Sequence, residues 1–168
     1  VEYSILPYTE FPEQLEEIKA AIRYLRAKAD IYGIDKNKVV VMGESAGGYF
    51  AALTAATNGD PQYEKGDYLE ESSAVNLAVP FYPPAEVNPN PDGMIRVKVD
   101  NFPKICELIN EKCVPMYMIH GITDQLVDYE NSIRLYERLK ECGVSSRLTL
   151  IEDAYHADAL CFKPEIKD

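Results

Sequence analysis

Short apolar runs recur along the chain, and each is too short for a helix and is bounded by polar residues, glycine or proline. They cover residues 1–6, 39–42, 74–82, 116–119 and 147–151. The run at 39–42 is continuously apolar, which predicts a strand buried on both faces. The run at 1–6 alternates and ends at Pro7, which indicates a short strand.

Segments with apolar residues at helical spacing separate these runs. The first begins near Pro12 and ends at Gly33, and its inward face is predicted to hold Leu15, Ile18, Ile22, Leu25, Ala29 and Tyr32. Further helices are predicted at 49–56, 102–111 and 128–142, with irregular chain at 58–73 and 85–99. The alternation predicts an α/β fold over residues 1–168, a single domain with a mostly parallel sheet and helices on both faces.

Charge and composition narrow the classes of partner. Seventeen Lys and Arg against 28 Asp and Glu give a formal charge of −11, which repels phosphate backbones, so nucleic acid is an unexpected partner. No apolar run approaches the roughly 20 residues of a membrane helix, so no membrane association is expected. The four cysteines form no C-x-x-C pair; we expect no metal site, and a reducing compartment such as the cytoplasm is slightly favoured.

The segment Gly43-Glu44-Ser45-Ala46-Gly47 matches G-x-S-x-G and lies between a predicted strand and a helix of small residues. In this motif a strained turn raises the serine oxygen above the sheet, and glycines are expected because side chains would collide there. Ser45 is therefore the predicted nucleophile of a serine hydrolase. The backbone N–H of Ala46 is the predicted donor to an oxyanion.

A serine nucleophile needs an adjacent base, and the base needs an acidic residue that orients it. The chain has two histidines. His156 follows the last predicted strand and is the predicted base; His120 ends a strand before Gly121, where a histidine more often fixes a turn. Asp124 is the predicted acid, because it follows a strand end and completes the order Ser, Asp, His.

Other residues near these positions have more than one interpretation. Asp128 is explained as a helix N-cap, and Asp153 and Asp158 as solvated loop charges. Candidates for an acyl or aromatic substrate pocket lie beside the serine turn and at a strand end: Glu44, Tyr49, Phe81 and Tyr82. For the aromatic residues, core packing is the favoured alternative.

Several segments together resemble a known family, the α/β-hydrolase esterases of the hormone-sensitive-lipase and acetyl or feruloyl carbohydrate-esterase kind. They are Glu2-Tyr3-Ser4-Ile5-Leu6-Pro7, Phe11-Pro12, Tyr32-Gly33-Ile34-Asp35, Gly43-Glu44-Ser45-Ala46-Gly47-Gly48, His120-Gly121-Ile122-Thr123-Asp124 with Val127, and His156. The resemblance implies hydrolysis of small or carbohydrate-linked carboxylic esters through an acyl-enzyme on Ser45. It implies no metal or organic cofactor.

The chain also departs from that family. Such esterases carry a His-Gly-Gly-Gly type oxyanion loop and a further strand before the segment at Val1, so we expect an N-terminally truncated piece of a longer protein. Open strand edges favour association, which predicts a homodimer. The alternatives are a prolyl-oligopeptidase-like serine peptidase and a catalytically incomplete fragment that serves as a binding or interaction module.

Overall fold

The computed structural model describes residues 1–5, 8–86 and 101–162. Four strands alternate with helices along this part of the chain. The strands are β1 (Val40–Glu44), β2 (Leu77–Phe81), β3 (Tyr117–Gly121) and β4 (Arg147–Ile151). The α-helices are α1 (Glu13–Ala27), α2 (Ala29–Tyr32), α3 (Ala46–Ala56), α4 (Ile105–Leu108) and α5 (Glu130–Glu141), and two 3₁₀ helices cover Pro61–Tyr63 and Ala159–Phe162.

The strands form one parallel sheet in the order β1-β2-β3-β4. The register pairs Glu44 with Phe81 and Gly121 with Ile151, so the carboxyl ends of all four strands meet at one edge of the sheet. This arrangement confirms the predicted α/β class. The predicted strands at 39–42, 74–82, 116–119 and 147–151 are confirmed with small shifts of their ends.

Helical structure lies on both faces of the sheet. On one face, strand residues Val41, Ala78, Met118 and Leu148 share a large core with the apolar residues of α1, α3, α4 and α5. On the opposite face, a smaller core contains Phe81, Tyr82, Ile119, Ala154 and Cys161, the last from the 3₁₀ helix Ala159–Phe162. This second face supports the carboxyl ends of β2 and β3.

The strand predicted at 1–6 is wrong for the residues described, because Val1 to Ile5 have no regular structure; Leu6 lies outside the described residues. The backbone N–H and hydroxyl of Ser4 donate to the Glu17 carboxylate at 2.7 and 2.8 Å, which uses a donor that a strand ladder would need. The Tyr3 ring packs edge-on against Phe50 at 5.0 Å. Of the irregular segment predicted at 85–99, positions 87–99 lie outside the described residues.

The prediction that β1 is buried on both faces is also wrong. Val40 and Met42 are 53% and 69% exposed, whereas Val41 packs against the large core. In the described part of the chain, β1 is an edge strand whose inner face is covered by α3. An apolar run alone cannot distinguish an edge strand from a central one, because the difference depends on distant segments.

The single helix predicted between Pro12 and Gly33 is divided at Lys28 into α1 and α2, and its inward face is only partly as predicted. Leu15, Ile18, Ile22 and Ala29 are buried, but Leu25 and Tyr32 are 39% and 52% exposed. The fully buried Lys19 and Arg23 lie instead against the segment at 58–73, where both bind the Glu64 carboxylate. Polar side chains of α1 are thus buried because that segment supplies acceptors for their hydrogen bonds, which the spacing of apolar residues cannot reveal.

Candidate active site

Ser45 occupies a sharp turn between β1 and α3. Its backbone has φ 52° and ψ −118°, a left-handed conformation that costs a non-glycine residue about 1–3 kcal/mol. Its N–H donates to the carbonyl of Phe81 at 3.1 Å, and its carbonyl accepts from the N–H of Tyr49 at 2.9 Å. The strand, turn and helix predicted from G-x-S-x-G are therefore present, with the serine at the carboxyl edge of the sheet.

The glycines around this turn differ in whether a side chain would fit in their place. A Cβ at Gly43 would lie 2.3 Å from the carbonyl oxygen of Gly47, and a Cβ at Gly48 would lie 2.5 Å from the carbonyl oxygen of Phe81. A Cβ at Gly47 would meet nothing within 4 Å. The expectation that both motif glycines avoid a collision is correct for Gly43 and wrong for Gly47, whereas Gly48, outside the five-residue motif, is sterically required.

The structure brings the three residues predicted for the reaction into one hydrogen-bonded chain. His156 Nε2 lies 3.0 Å from Ser45 Oγ, and His156 Nδ1 lies 2.7 Å from Asp124 Oδ2. The His156 side chain is 14% exposed and that of Asp124 is fully buried. In the neutral imidazole that fits these partners, Nδ1–H donates to the carboxylate and Nε2 accepts from the serine hydroxyl.

Asp124 is held as a carboxylate by its donors. Burial alone would raise the pKa of Asp124, but hydrogen bonds from His120, His156 and two backbone N–H groups lower it to about 2. The two backbone donors are Leu126 and Val127, each 2.9 Å from Oδ1. The carboxylate that binds His156 Nδ1 is consequently charged throughout the neutral pH range.

His120 supports the turn that carries Asp124, and both of its ring nitrogens have partners other than Ser45. Its ring is fully buried, with Nδ1 2.7 Å from Ser132 Oγ and Nε2 3.0 Å from the Val127 carbonyl oxygen. Nε2 also lies 3.4 Å from Asp124 Oδ2. Both neighbours of Nε2 accept hydrogen bonds, so Nε2 carries the proton. The predicted turn-fixing role agrees with this geometry; its contact with Asp124 was missed, although the four-residue spacing offered a signal.

A tight contact holds the loop of His156 against the end of β3. The Thr123 hydroxyl donates to the carbonyl of Ala154 at 2.7 Å. A Cβ at Gly121 would lie 2.1 Å from the same carbonyl oxygen, so only glycine allows this approach. These contacts attach the loop that follows β4 beside Asp124. The point of attachment, Ala154, lies two residues before His156.

Two further aspartates lie beside the starts of helices. The N-cap of α5 is Tyr129, so the N-cap prediction for Asp128 is wrong by one position, although Asp128 Oδ1 accepts from the N–H of Glu130, the first residue of α5. Asp158 Oδ1 accepts from the N–H of Leu160 at 2.8 Å, so its interpretation as a solvated charge is wrong. It begins the 3₁₀ helix that follows His156, whereas Asp153 is exposed in the loop.

Ala46, the predicted oxyanion donor, is exposed and is the first residue of α3. The N–H groups of a helix's first turn have no partner within the helix, and they form the positive end of its dipole. The N–H of Ala46 therefore follows directly after Ser45 in a position suited to an anion.

The pocket prediction is wrong for Tyr49 and Phe81, whose side chains are buried in packing contacts. Tyr49 is 4% exposed and its hydroxyl donates to the carbonyl of Pro103 at 2.7 Å. Phe81 is 6% exposed and stacks on Phe162 with ring centroids 4.9 Å apart. The alternative of core packing, stated from the sequence, describes both residues.

Tyr82 packs against the imidazole of His156 and binds Glu44. The Tyr82 side chain is fully buried, so it lines no open pocket in this structure, and its hydroxyl donates to Glu44 Oε2 at 2.6 Å. Burial, followed by the Glu44 hydrogen bond, raises the pKa of Tyr82 above its ordinary value, so the phenol remains a donor. Its ring centroid lies 4.7 Å from that of His156.

Two properties of the described residues bear on cofactors and membranes. Within residues 1–5, 8–86 and 101–162, no group of three or more His, Cys, Asp or Glu is arranged to hold a metal ion. In the same part of the chain, none of the helices has the length and apolar character needed to cross a bilayer.

Comparison with known proteins agrees with this fold. A truncated carbohydrate esterase from gut microbiota superposes with a TM-score of 0.84 at 21% identity, covering 98% of this chain and 68% of that one. An acetyl ester-xyloside bifunctional hydrolase from Caldicellulosiruptor lactoaceticus gives 0.78 at 25% identity, covering 98% and 64%. Fold and site together define a chain with the α/β-hydrolase architecture of esterases.

Sequence comparison then assigns the family. Residues 1–139 match the family model described as BD-FAE, and the chain belongs to this family. Esterase LipC of Mycobacterium tuberculosis is 26% identical over 158 residues, which cover 83% of this chain and 39% of LipC. The chain thus spans about two fifths of the length of the curated relatives it matches.

Proposed function

We propose that this chain carries the catalytic triad of a serine hydrolase that cleaves carboxylic esters of small or carbohydrate-linked acyl groups. The observation that carries the proposal is the continuous hydrogen-bonded chain from Ser45 Oγ through His156 to Asp124, with links of 3.0 and 2.7 Å. These lengths are within hydrogen-bond reach, which is what nucleophile and base require of each other.

The proposed reaction has two halves. Ser45 Oγ attacks the ester carbonyl carbon, and His156 Nε2 takes the serine proton; the bond to the alcohol oxygen then breaks and His156 returns the proton to the departing alcohol. Water, deprotonated by His156, attacks the acyl-enzyme, releases the carboxylic acid and restores Ser45. Asp124 remains ionised, holds the imidazole orientation and stabilises the imidazolium.

The Ala46 N–H is the proposed donor to the oxyanion of the tetrahedral intermediate. It follows the nucleophile directly and lies at the positive end of α3. The removal of one such donor lowers the rate of a serine hydrolase by roughly 100- to 1,000-fold. A backbone donor of this kind is fixed by the turn at Ser45, so it requires no reorganisation during the reaction.

The proposed substrate class rests on the chain's relatives. The names of two similar structures describe a carbohydrate esterase and an acetyl ester-xyloside hydrolase, and the curated relatives include esterases. Esters therefore take precedence over the peptide bonds of the prolyl-oligopeptidase-like alternative. We propose no metal or organic cofactor, because the steps above use only Ser45, His156, Asp124 and a backbone donor.

Covalent labelling by a fluorophosphonate probe tests the proposal most directly. We expect labelling and turnover of p-nitrophenyl acetate in the wild-type chain, and neither in Ser45→Ala. Ser72→Ala, which replaces a serine of the segment at 58–73, serves as the control and should behave as wild type. Labelling of Ser45→Ala at the wild-type rate would overturn the assignment of the nucleophile.

Substrate comparison separates the competing functions. An acetylated xylo-oligosaccharide and a small alkyl acetate should be hydrolysed, whereas a prolyl peptide anilide should not. Preference for the anilide would favour the peptidase. A folded wild-type chain that is neither labelled nor active would favour the non-catalytic binding module.

A further inference from the structure

Tyr82 is fixed both at its backbone and at its hydroxyl, although it has no role in the proposed reaction. It follows β2, and its N–H donates to the Ile119 carbonyl at 2.8 Å, which anchors its backbone to β3. At the other end, its hydroxyl donates to Glu44 at 2.6 Å. The backbone of Tyr82 itself has φ 37°, a conformation that non-glycine residues seldom adopt.

The ring between these two anchors lies beside the imidazole of His156. The two ring centroids are 4.7 Å apart with an interplanar angle of 59°. An aromatic ring at this distance makes van der Waals contact with the imidazole, and it attracts the imidazolium that forms when Ser45 is deprotonated. Tyr82 therefore contacts His156, the residue that both accepts the serine proton and returns it in the proposed reaction.

The loop of His156 is held through its backbone, so the orientation of the imidazole depends on the contacts of the ring itself. The residues on either side include Asp153 with φ 60° and Ala157 with φ 57°, so the loop is strained on both flanks. The backbones of Tyr155 and Asp158, on either side of the histidine, are joined by a hydrogen bond of 3.2 Å, and the Ala154 carbonyl attaches the loop to Thr123. Hydrogen bonds to Ser45 and Asp124 restrain the two ring nitrogens, and the Tyr82 ring adds a contact with the rest of the imidazole.

We infer that Tyr82 is a positioning residue that holds His156 in line with Ser45 and Asp124, and that Glu44 fixes Tyr82 in turn. Its catalytic consequence rests on the proposed hydrolase function. Glu44 is the residue immediately before the nucleophile, so one turn would position both Ser45 and, through Tyr82, its base. This role replaces the pocket role predicted for the two residues from the sequence.

Two readouts separate this inference from the proposed function. The first is kcat and KM for p-nitrophenyl acetate. The second is the imidazole ¹⁵N–¹H spectrum of a chain labelled with ¹⁵N-histidine, which reports the Nδ1–H of His156 without any turnover. The chain has only two histidines, and the Tyr82 ring lies near both, with a centroid distance of 6.3 Å to His120, so Tyr82→Phe, which keeps the ring, provides the reference spectrum.

Tyr82→Leu removes the ring and keeps an apolar side chain. We expect kcat to fall about 10- to 100-fold with KM nearly unchanged, because a displacement of about 1 Å in a catalytic group costs up to roughly 100-fold. The Nδ1–H of His156 should broaden and exchange faster with solvent than in the wild type, which the loss of a ring current alone does not cause. Tyr63→Leu is the matched control, since Tyr63 is 6% exposed and packs against Phe11, and it should change neither readout.

The hydroxyl is tested separately from the ring. Tyr82→Phe keeps the ring and loses the hydrogen bond to Glu44, so we expect a smaller fall in kcat, roughly 3- to 10-fold, and rescue relative to Tyr82→Leu. Glu44→Gln keeps an acceptor for the phenol and should lie close to wild type, whereas Glu44→Ala should resemble Tyr82→Phe.

Wild-type kcat together with wild-type solvent exchange of the His156 Nδ1–H in folded Tyr82→Leu would overturn the inference. An equal fall in Tyr63→Leu would do the same, because the effect would then be one of general packing. A wild-type chain without turnover would contradict the proposed function, and the histidine spectra would still decide whether Tyr82 positions His156.

Discussion

At the scale of single residues, two strained backbone positions meet at the same edge of the sheet. Ser45 has φ 52° at the end of β1, and Tyr82 has φ 37° at the end of the neighbouring β2. The two are joined directly, because the Ser45 N–H donates to the carbonyl of Phe81, the residue before Tyr82. Both side chains contact His156, so the local strain coincides with the candidate site.

The lowered pKa of Asp124 leads to a prediction about stability and pH. Burial alone would raise this pKa, but the hydrogen bonds lower it from its ordinary 3.8 to about 2 in the folded chain. A lowered folded-state pKa means that the carboxylate contributes stability above about pH 4, and that this contribution is lost as pH falls through about 2. The contribution is about 2 kcal/mol.

Urea unfolding of the wild type and of Asp124→Asn between pH 5 and pH 2 measures that contribution. We expect the wild type to lose about 2 kcal/mol more of its free energy of unfolding over this range than the asparagine variant does. Asp153→Asn, in the exposed loop that carries His156, controls for the loss of one negative charge. Parallel pH curves for wild type and Asp124→Asn would contradict the assignment.

At the scale of elements, the joint between β1 and α3 depends on the approach of backbone atoms. A Cβ at Gly48 would lie 2.5 Å from the Phe81 carbonyl oxygen, where neither backbone has room to move, whereas a Cβ at Gly47 meets open space. We expect Gly48→Ala to destabilise the fold by about 1–3 kcal/mol or more, as overpacking does, and to reduce labelling of Ser45. Gly47→Ala should remain within about 1 kcal/mol of wild type.

Thermal unfolding of these two variants forms a matched pair, because each adds one methyl group in the first turn of α3. A large loss in Gly47→Ala together with a neutral Gly48→Ala would show that the turn is packed differently. Fluorophosphonate labelling of the folded fraction then separates loss of folding from displacement of Ser45.

The elements themselves were predictable wherever local pattern decides them. The continuous apolar runs and the G-x-S-x-G turn place four strands and α3 correctly, and Gly33, with φ 65°, ends the first helical segment as expected. The segment at the start of the chain was not predictable in this way. Its alternating residues favour a strand, yet Ser4 uses its N–H to bind Glu17 of α1, a partner 13 residues away.

At the scale of the whole molecule, one face of the edge strand β1 is exposed to solvent among the described residues. Val40 and Met42 project from β1 with 53% and 69% of their surface exposed. Exposed apolar residues on an edge strand favour association with another chain. The homodimer predicted from the sequence stays a proposal, and β1 is the surface that we propose for it.

Sedimentation velocity across a concentration series tests this proposal. We expect the wild-type chain to associate as its concentration rises, and Met42→Lys to shift the equilibrium toward the monomer, because a charged side chain on an edge strand opposes pairing. Leu69→Lys, which changes another exposed apolar residue away from the sheet, is the control and should associate like wild type. A wild type that stays monomeric throughout would remove the proposal.

The sequence by itself determined the alternation of strands and helices and the turn at Ser45, since each depends on periodicity or on residue types within a few positions. It also predicted Asp124 and His156 as partners of Ser45, from the order of the three residues along the chain. Only the tertiary structure decided which glycine is sterically required, that Tyr82 contacts His156, that Lys19 and Arg23 are buried, and that β1 is exposed. These features depend on atoms contributed by segments far apart along the chain. Their distances are set by packing, which no local pattern records.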